Sequence, residues 1–473
     1  MRQVDRAEFY REARHDLAGP LHGVRVLDVT TVWSGPMASC VLADLGGDVI
    51  RVEMPRNRAG QVPPEIPGTG LSWFHQTVNR NKRSVGLDLR VPAARQVFLR
   101  LVATADLVVE NFLPGTLDEW GIGYAACRRV KPDVVVVSIS GYGQFGPASG
   151  RRGYDPIVLA ASGWTALNGA ADGDPVKAPT FLADDLAGLH GAIAALAALR
   201  HRDATGEGQH VDVAMLDSVL FSSDGFLTLA GTGVPLRRRG NEAEFLAPAN
   251  TYRCVDGRVY LVAALDRHWR ALAEAVGRPD LARAVGFATN RDRLANRAQV
   301  NEVIGAWCRE RTVAEVVGRL EAAGLAAGPV RTFAQAAADP HVRERDMLQD
   351  TELSNGTHAP ITGPAAKFAR TPTRVRTGAP VAGAHTEEVL GELGLDPAEV
   401  AALRRAGAVG SAADRPAGAA GEVVAGAAAD GPAGAAGAAG GGADREGGGS
   451  AADGAGSGRR DPGQREVTHA AGS

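Results

Sequence analysis

The chain has 473 residues, 45% of them hydrophobic and 22% charged, with a formal net charge of -3. That balance describes a globular chain long enough for two domains, and its Arg residues are interleaved with acids, which excludes bulk attraction to nucleic acid. The charged N-terminus MRQVDRAEFYREARHD has no apolar core, and no run reaches the roughly 18 apolar residues of a membrane span, so we expect a cytoplasmic protein with no membrane partner.

Regular patterning begins at Val24, where VRVLDVT reads as a buried strand, SGPMASCVLADLGG as a helix ending at Gly, and DVIRVE as a second strand. The helical VPAARQVFLRLVATA, the strand DLVVE and the strand VVVVSIS continue the alternation, which predicts an α/β fold with a parallel sheet covered on both faces. Ligands of such sheets collect at the carboxyl ends of the strands, here the turns after Thr30, Glu53, Glu110 and Ser140. After Ser140, GYGQFG matches a dinucleotide pattern, but Pro147, Gly150 and Gly153 prolong an irregular loop where a nucleotide site needs a helix to open. A plain turn is expected there. Cys40, Cys127, Cys254 and Cys308 lack paired spacing, so reduced thiols and no metal site are expected.

Pro179 to Arg202 puts adjacent carboxylates, Asp184 and Asp185, at the start of a long apolar helix. Leu186, Leu189, Ile193, Leu196 and Leu199 recur at helical spacing with Ala and Gly between them, which predicts burial on most sides. Taken alone, Asp184 reads either as an N-cap or as a functional carboxylate at the positive helix end. The strand QHVDVAM follows, then a Gly/Arg-rich connection and a hairpin, TYRCVDGRVYLVAALD, around Asp256-Gly257. Helices near His268 to Val276 and Arg293 to Cys308 suit a small mixed domain. From Ser411 to Ser473 there is no Leu, Ile, Met or aromatic residue, so a disordered, dispensable tail is expected.

Several segments together resemble a known family: VLDVTTVWSGPMASCVLADLGGDVIRVE, NRNKRSVGLDLR, ADLVVENFLPGTLDEWGIG, SGYGQFGP, RRGYDP, ADDLAGLHGAIAALAALRHRDATGEGQHVDVAMLDS and GAHTEEVLGEL. In that order they resemble the family III CoA-transferases, which include formyl-CoA transferase, carnitine CoA-transferase and, as a divergent branch, α-methylacyl-CoA racemase. The resemblance implies a large Rossmann-like domain built from both chain ends, a small mixed α/β domain, and two subunits interlocked as rings. Accordingly we expect a large domain over 20–225, a linker over 226–246, a small domain over 247–335, a return to the large domain over 336–409 and the tail over 410–473.

The resemblance also implies chemistry. An Asp attacks an acyl-CoA thioester to form a mixed anhydride, CoA thiolate converts this to an aspartyl-CoA thioester, and an acceptor acid takes over the CoA. The Asp must be ionised, which helix amides favour. Gly188, Leu189 and His190 match the motif that places this nucleophile at Asp184. CoA contacts carry over to Leu87, Asp88, Leu89 and Arg90, to Asn111 and Phe112, and to Arg152, Gly153, Tyr154 and Asp155, with Arg90 and Arg152 facing phosphates. Substrate contacts fall on Trp33, Ser34, Arg239 and Gly240. CoA is part of donor and product, and no cofactor is permanently bound. The chain departs from the formyl-CoA transferase pattern at Trp33, Met54 and Glu119, and the glycine lid shrinks to Arg239-Gly240-Asn241, so the acceptor differs; Trp33 is either core or a pocket wall. A racemase is the alternative, but Tyr154 stands where that branch has His and, with a pKa near ~10, is a poor base. A non-catalytic CoA-binding protein is the third reading, weakened by the presence of Asp184.

Overall fold

The computed structural model describes residues 4–55 and 64–411, so all but the first two residues of the expected tail lie outside the described residues. Six strands, β1 (Arg25–Val29), β2 (Asp48–Glu53), β3 (Arg83–Gly86), β4 (Leu107–Glu110), β5 (Val135–Ser140) and β6 (His210–Ala214), form one sheet in the order β3-β2-β1-β4-β5-β6. Every neighbouring pair is parallel. This is the doubly wound order, in which the winding reverses between β1 and β4. Its inner strands are largely apolar on both sides because both faces are covered. Leu27, Ile50, Val85 and Val108 pack into one core with Phe98 and Leu101, while Val26, Val49, Val109 and Val137 point the other way, onto Ala38, Leu42, Ala187 and Ala195.

The short edge strand β3 is held by the far end of the chain. Leu87 bridges Val409, the Gly86 amide donates to Thr386 Oγ1 at 3.0 Å, and Val389, Leu390 and Val400 join the first core. A second, antiparallel sheet of β7 (Ala249–Arg253), β8 (Arg258–Val262) and β9 (Ala326–Pro329) has its own core of Tyr252, Trp269, Ile304, Trp307 and Leu320. The helix expected over 293–308 is instead two helices, Asn290–Ala295 and Arg297–Arg309, broken at Asn296, whose side-chain amide donates to Gly286 O at 3.0 Å and Asp292 O at 3.2 Å.

Three helices build the functional edge of the large sheet: α1 (Ser34–Asp44), α2 (Asp155–Ala161) and α3 (Leu182–Thr205). The large side chains of α3 were expected inside, but Leu189 is 46% and Ile193 62% exposed, whereas Ala183, Ala187, Gly188, Gly191, Ala192 and Ala195 are buried. Close backbone approach explains the inversion. A Cβ on Gly188 would lie 2.7 Å from Met37 Cγ and 2.9 Å from the Ser34 carbonyl oxygen, and one on Gly191 would lie 2.7 Å from Ile139 Cδ1. The small residues therefore face α1 and β5 and Leu189 and Ile193 turn outward, while Leu199 is buried as expected and Leu186 and Leu196 pack against the core. By length and hydropathy α3 also passes for a membrane span, against expectation, but half of that window is buried in the protein, as in a core helix.

Beneath the start of α1 lies a buried ionic network. Lys82, fully buried, donates to Asp28 Oδ2 at 2.8 Å, Ser39 Oγ at 2.9 Å, and Pro36 O and Asn79 Oδ1 at 3.0 Å. Arg51 stands 3.4 Å from the same carboxylate. Burial pushes the Asp28 carboxyl up, but the charges of Lys82 and Arg51 and their hydrogen bonds outweigh it and hold it at about 2.

Candidate active site

A cavity opens where the winding reverses, at the carboxyl ends of β1, β4 and β5. Three of the four expected turns meet there, contributing Thr31 and Val32, Asn111 to Leu113, and Ser140 with Gly141; the turn after Glu53 does not line it. Asn111 ties the first two turns together, accepting from the Thr31 amide and donating to the Thr31 carbonyl, both at 2.8 Å. The β4 turn is braced from below by Glu110, whose Oε2 accepts from the Phe112 amide at 2.8 Å. Burial drives that carboxyl up to about 7, against the bonds from Ser138 and Phe112. Val32, in the cavity wall, has φ 62°, a left-handed conformation that costs a β-branched residue energy and is retained chiefly at functional sites.

Asp184 reaches the cavity from α3 and is 8% exposed. It is not the N-cap: the helix begins at Leu182, with Phe181 at the cap position and no side-chain cap bond there. Ser34, the first residue of α1, stands beside it instead, and its hydroxyl and backbone amide favour the charged form of the carboxylate. The helix amide that supports its charge thus belongs to the neighbouring helix, which the contact at Gly188 brings close. This support does not win in the free protein. Burial first, then the negative charges of Asp155 and Asp185, push Asp184 up to about 7 against the influence of Ser34.

The adjacent carboxylate is occupied elsewhere. Trp33 donates its indole N–H to Asp185 Oδ1 at 2.7 Å and packs its ring against Phe74 at 4.6 Å and Phe181 at 5.0 Å. Trp33 is buried and absent from the cavity wall, so the core reading fits it and the pocket-wall reading does not.

Of the expected contact residues, the cavity gathers Ser34, Asn111, Phe112, Arg152, Gly153 and Tyr154 around Asp184. Asp155 is buried, its Oδ1 accepts from the Ala183 amide at 2.7 Å, and it is not among the residues lining the cavity. Leu87 and Leu89 turn their side chains into the core. Asp88 and Arg90, ion-paired at 2.7 Å, stand at the end of β3, two strands or roughly 10 Å from β1. Arg239 pairs with Glu244, and the Gly240 amide donates to Gly169 O at 3.1 Å; neither lines the cavity. Ile139 and Met215 line it without having been expected. Gly141 left a trace in the sequence as the first glycine of GYGQFG. Its Cα lies where a Cβ on Gly153 would be 2.7 Å away, so the two glycine-bearing loops touch backbone to backbone, and no helix opens there for a dinucleotide.

Comparison with known proteins agrees with the resemblance. The family model described as CoA-transferase family III matches residues 21–386. The chain is 37% identical over 384 residues to the succinyl-CoA–L-malate CoA-transferase beta subunit of Chloroflexus aurantiacus, covering 79% of this chain and 94% of that protein. It is 35% identical over 384 residues to the succinate–glutarate CoA-transferase of Agrobacterium fabrum, covering 79% and 96%. The crystal structure of a CaiB/BaiF family protein from Brucella suis superposes with a TM-score of 0.70 at 31% identity, covering 80% of this chain and all of that one.

Proposed function

This chain belongs to CoA-transferase family III and is an enzyme, and we propose that it moves CoA from a dicarboxylic acyl-CoA, such as succinyl-CoA, to a second dicarboxylic acid with Asp184 as covalent carrier. An Asp184 oxygen attacks the thioester carbonyl, the C–S bond breaks and CoA leaves as thiolate, giving a mixed anhydride. The thiolate then attacks the Asp184 carbonyl of that anhydride and expels the donor acid as a carboxylate. The acceptor carboxylate attacks the resulting aspartyl-CoA thioester, CoA leaves again, and its thiolate takes the new acyl group while Asp184 is released. No net proton is consumed. Each intermediate is an activated acyl group, so burial of Asp184 in the wall of a cavity protects it from water. The observation that carries the reading is a buried Asp184 opening into that cavity beside Ser34, the first residue of α1.

CoA itself enters with the donor and leaves with the product. Phe112, Arg152 and Tyr154 face it in the cavity, and Asp88 and Arg90 extend its path along the sheet edge, where the charge of the two arginines attracts phosphate. The dicarboxylate preference rests on the substrates in the names of the two curated relatives and on Arg152, a cation in the cavity wall. Mass spectrometry of acids and CoA esters after incubation with succinyl-CoA and a panel of mono- and dicarboxylic acids checks it. A new dicarboxylyl-CoA should appear only when donor and free acid are both present; hydrolysis alone, or transfer restricted to monocarboxylic acids, contradicts the proposal.

The working form is a homodimer. Leu189 and Ile193 of α3, Ile157 of α2 and Phe221, whose ring meets His190 at 5.3 Å, are large apolar side chains left exposed on neighbouring helices, and a second subunit would cover them. Light scattering should give twice the chain mass at micromolar concentration. A well-folded monomer there would rule the dimer out.

A further inference from the structure

We propose that Asp155 is a positioning residue that acts through Asp184, capping the first turn of α3 from a neighbouring segment and setting a second negative charge beside the nucleophile. The inference rests on the reading of Asp184 as the nucleophile and deepens it. A helix start leaves its first amides without partners, and α3 offers none of its own: Phe181 at the cap position has no side-chain oxygen to give. Asp155 fills that role across 28 residues of sequence, accepting from the Ala183 amide at 2.7 Å, and the nearby amide of Asp184 also favours its charged form. Its place is set from both sides. The contact of Gly153 with Gly141 anchors the loop before it, and Asp155 itself opens α2, with Pro156 next in the first turn. The RRGYDP loop is therefore divided, with Arg152, Gly153 and Tyr154 facing the cavity and Asp155 turned away onto the helix.

Capping alone would be served by Asn or Ser; an Asp adds charge. The groups that bear on Asp184 are the hydroxyl and amide of Ser34 from α1, Asp155 from α2, Asp185 from α3, where Trp33 engages it, and Arg152 in the wall of the same cavity; Lys177 acts on Asp155. Among the charged neighbours Asp155 raises the proton affinity of Asp184 most, second only to burial. A carboxylate that titrates near the working pH is both populated and a stronger nucleophile than an ordinary one.

The test uses the full chain, succinyl-CoA and hydroxylamine, and reads by peptide mass the hydroxamate formed at Asp184 in a single turnover as a function of pH. In Asp155→Asn and Asp155→Ser, both neutral and both able to accept from the amide, the midpoint of the acid limb should fall by roughly one pH unit. Asp155→Ala should lower adduct formation at every pH together with Tm. An adduct that forms with an unshifted midpoint in whichever neutral variant folds overturns the proposal, since a merely structural cap would move Tm and leave the limb in place. Absence of any adduct at Asp184 in the wild type would instead remove the nucleophile reading beneath it.

Discussion

Asp184→Asn should reduce CoA transfer by roughly 10⁴-fold or more and, above neutral pH, make the protein more stable. The loss follows because the amide cannot form the anhydride or the aspartyl-CoA thioester, and Asp185, bound to the Trp33 indole, is not turned toward the cavity to replace it. The gain follows from linkage. The carboxyl of Asp184 is raised in the folded protein from an ordinary 3.8 to about 7, so the stability it contributes is complete below pH 4 and is lost as pH rises through 7. Asn keeps an acceptor for Ser34 without the buried charge. Its advantage over wild type should grow between pH 5 and 7 and level off at about 2 kcal/mol, below the ~4 kcal/mol that the full shift allows. Urea unfolding at pH 5 and pH 8 reads this directly; equal stability at both would mean that Asp184 is not a strained buried carboxylate. Asp185→Asn should retain most of the activity.

Lys82→Met should cost about 3–5 kcal/mol, the loss expected when one partner of a buried ion pair is removed. The ammonium serves four acceptors, and its removal leaves Asp28 with Arg51 at 3.4 Å as its remaining cation and strips donors from Pro36 O and Asn79 Oδ1. Pro36 lies in the first turn of α1, two residues from Ser34, and Asp28 also accepts from the Thr30 amide at 3.0 Å, so the loss extends to the turn that presents Ser34 to Asp184. Adding Asp28→Asn to Lys82→Met should recover part of the stability, because the uncompensated charge goes with it. A loss below 1 kcal/mol in urea unfolding, or no recovery in the double variant, would contradict this account.

Most of the parallel sheet was legible because its strands are nearly unbroken Val/Ile/Leu runs, as in DVIRVE and VVVVSIS, and fully covered strands demand that pattern. The edge strand β3 was not read: RSVG is short and polar, and its partners, Thr386 and Val409, lie some 300 residues away in sequence. The hairpin of Leu348–Glu352 and His358–Thr362 was also missed, although Asn355-Gly356, with Gly356 at φ 78°, is a recognisable turn signal. At the site, motif order led to Asp184, Asn111 and Arg152. It also led to Asp155, which bonds to the Ala183 amide and does not line the cavity, because a family motif says which residues recur and not which way each side chain turns. The outward face of α3 misled for a related reason: periodicity identified an apolar stripe at Leu189 and Ile193, but the close approach of α1 at Gly188 decided which face was buried.

The central claim is that Asp184 is the covalent carrier, and trapping it is the most direct test. Wild-type protein incubated at pH 8 with succinyl-CoA and then hydroxylamine should carry a hydroxamate on the peptide containing Asp184, visible as a mass change that requires the acyl-CoA and is absent from Asp184→Asn. An adduct mapped to Asp185, or transfer at a near-native rate by Asp184→Asn, would contradict it.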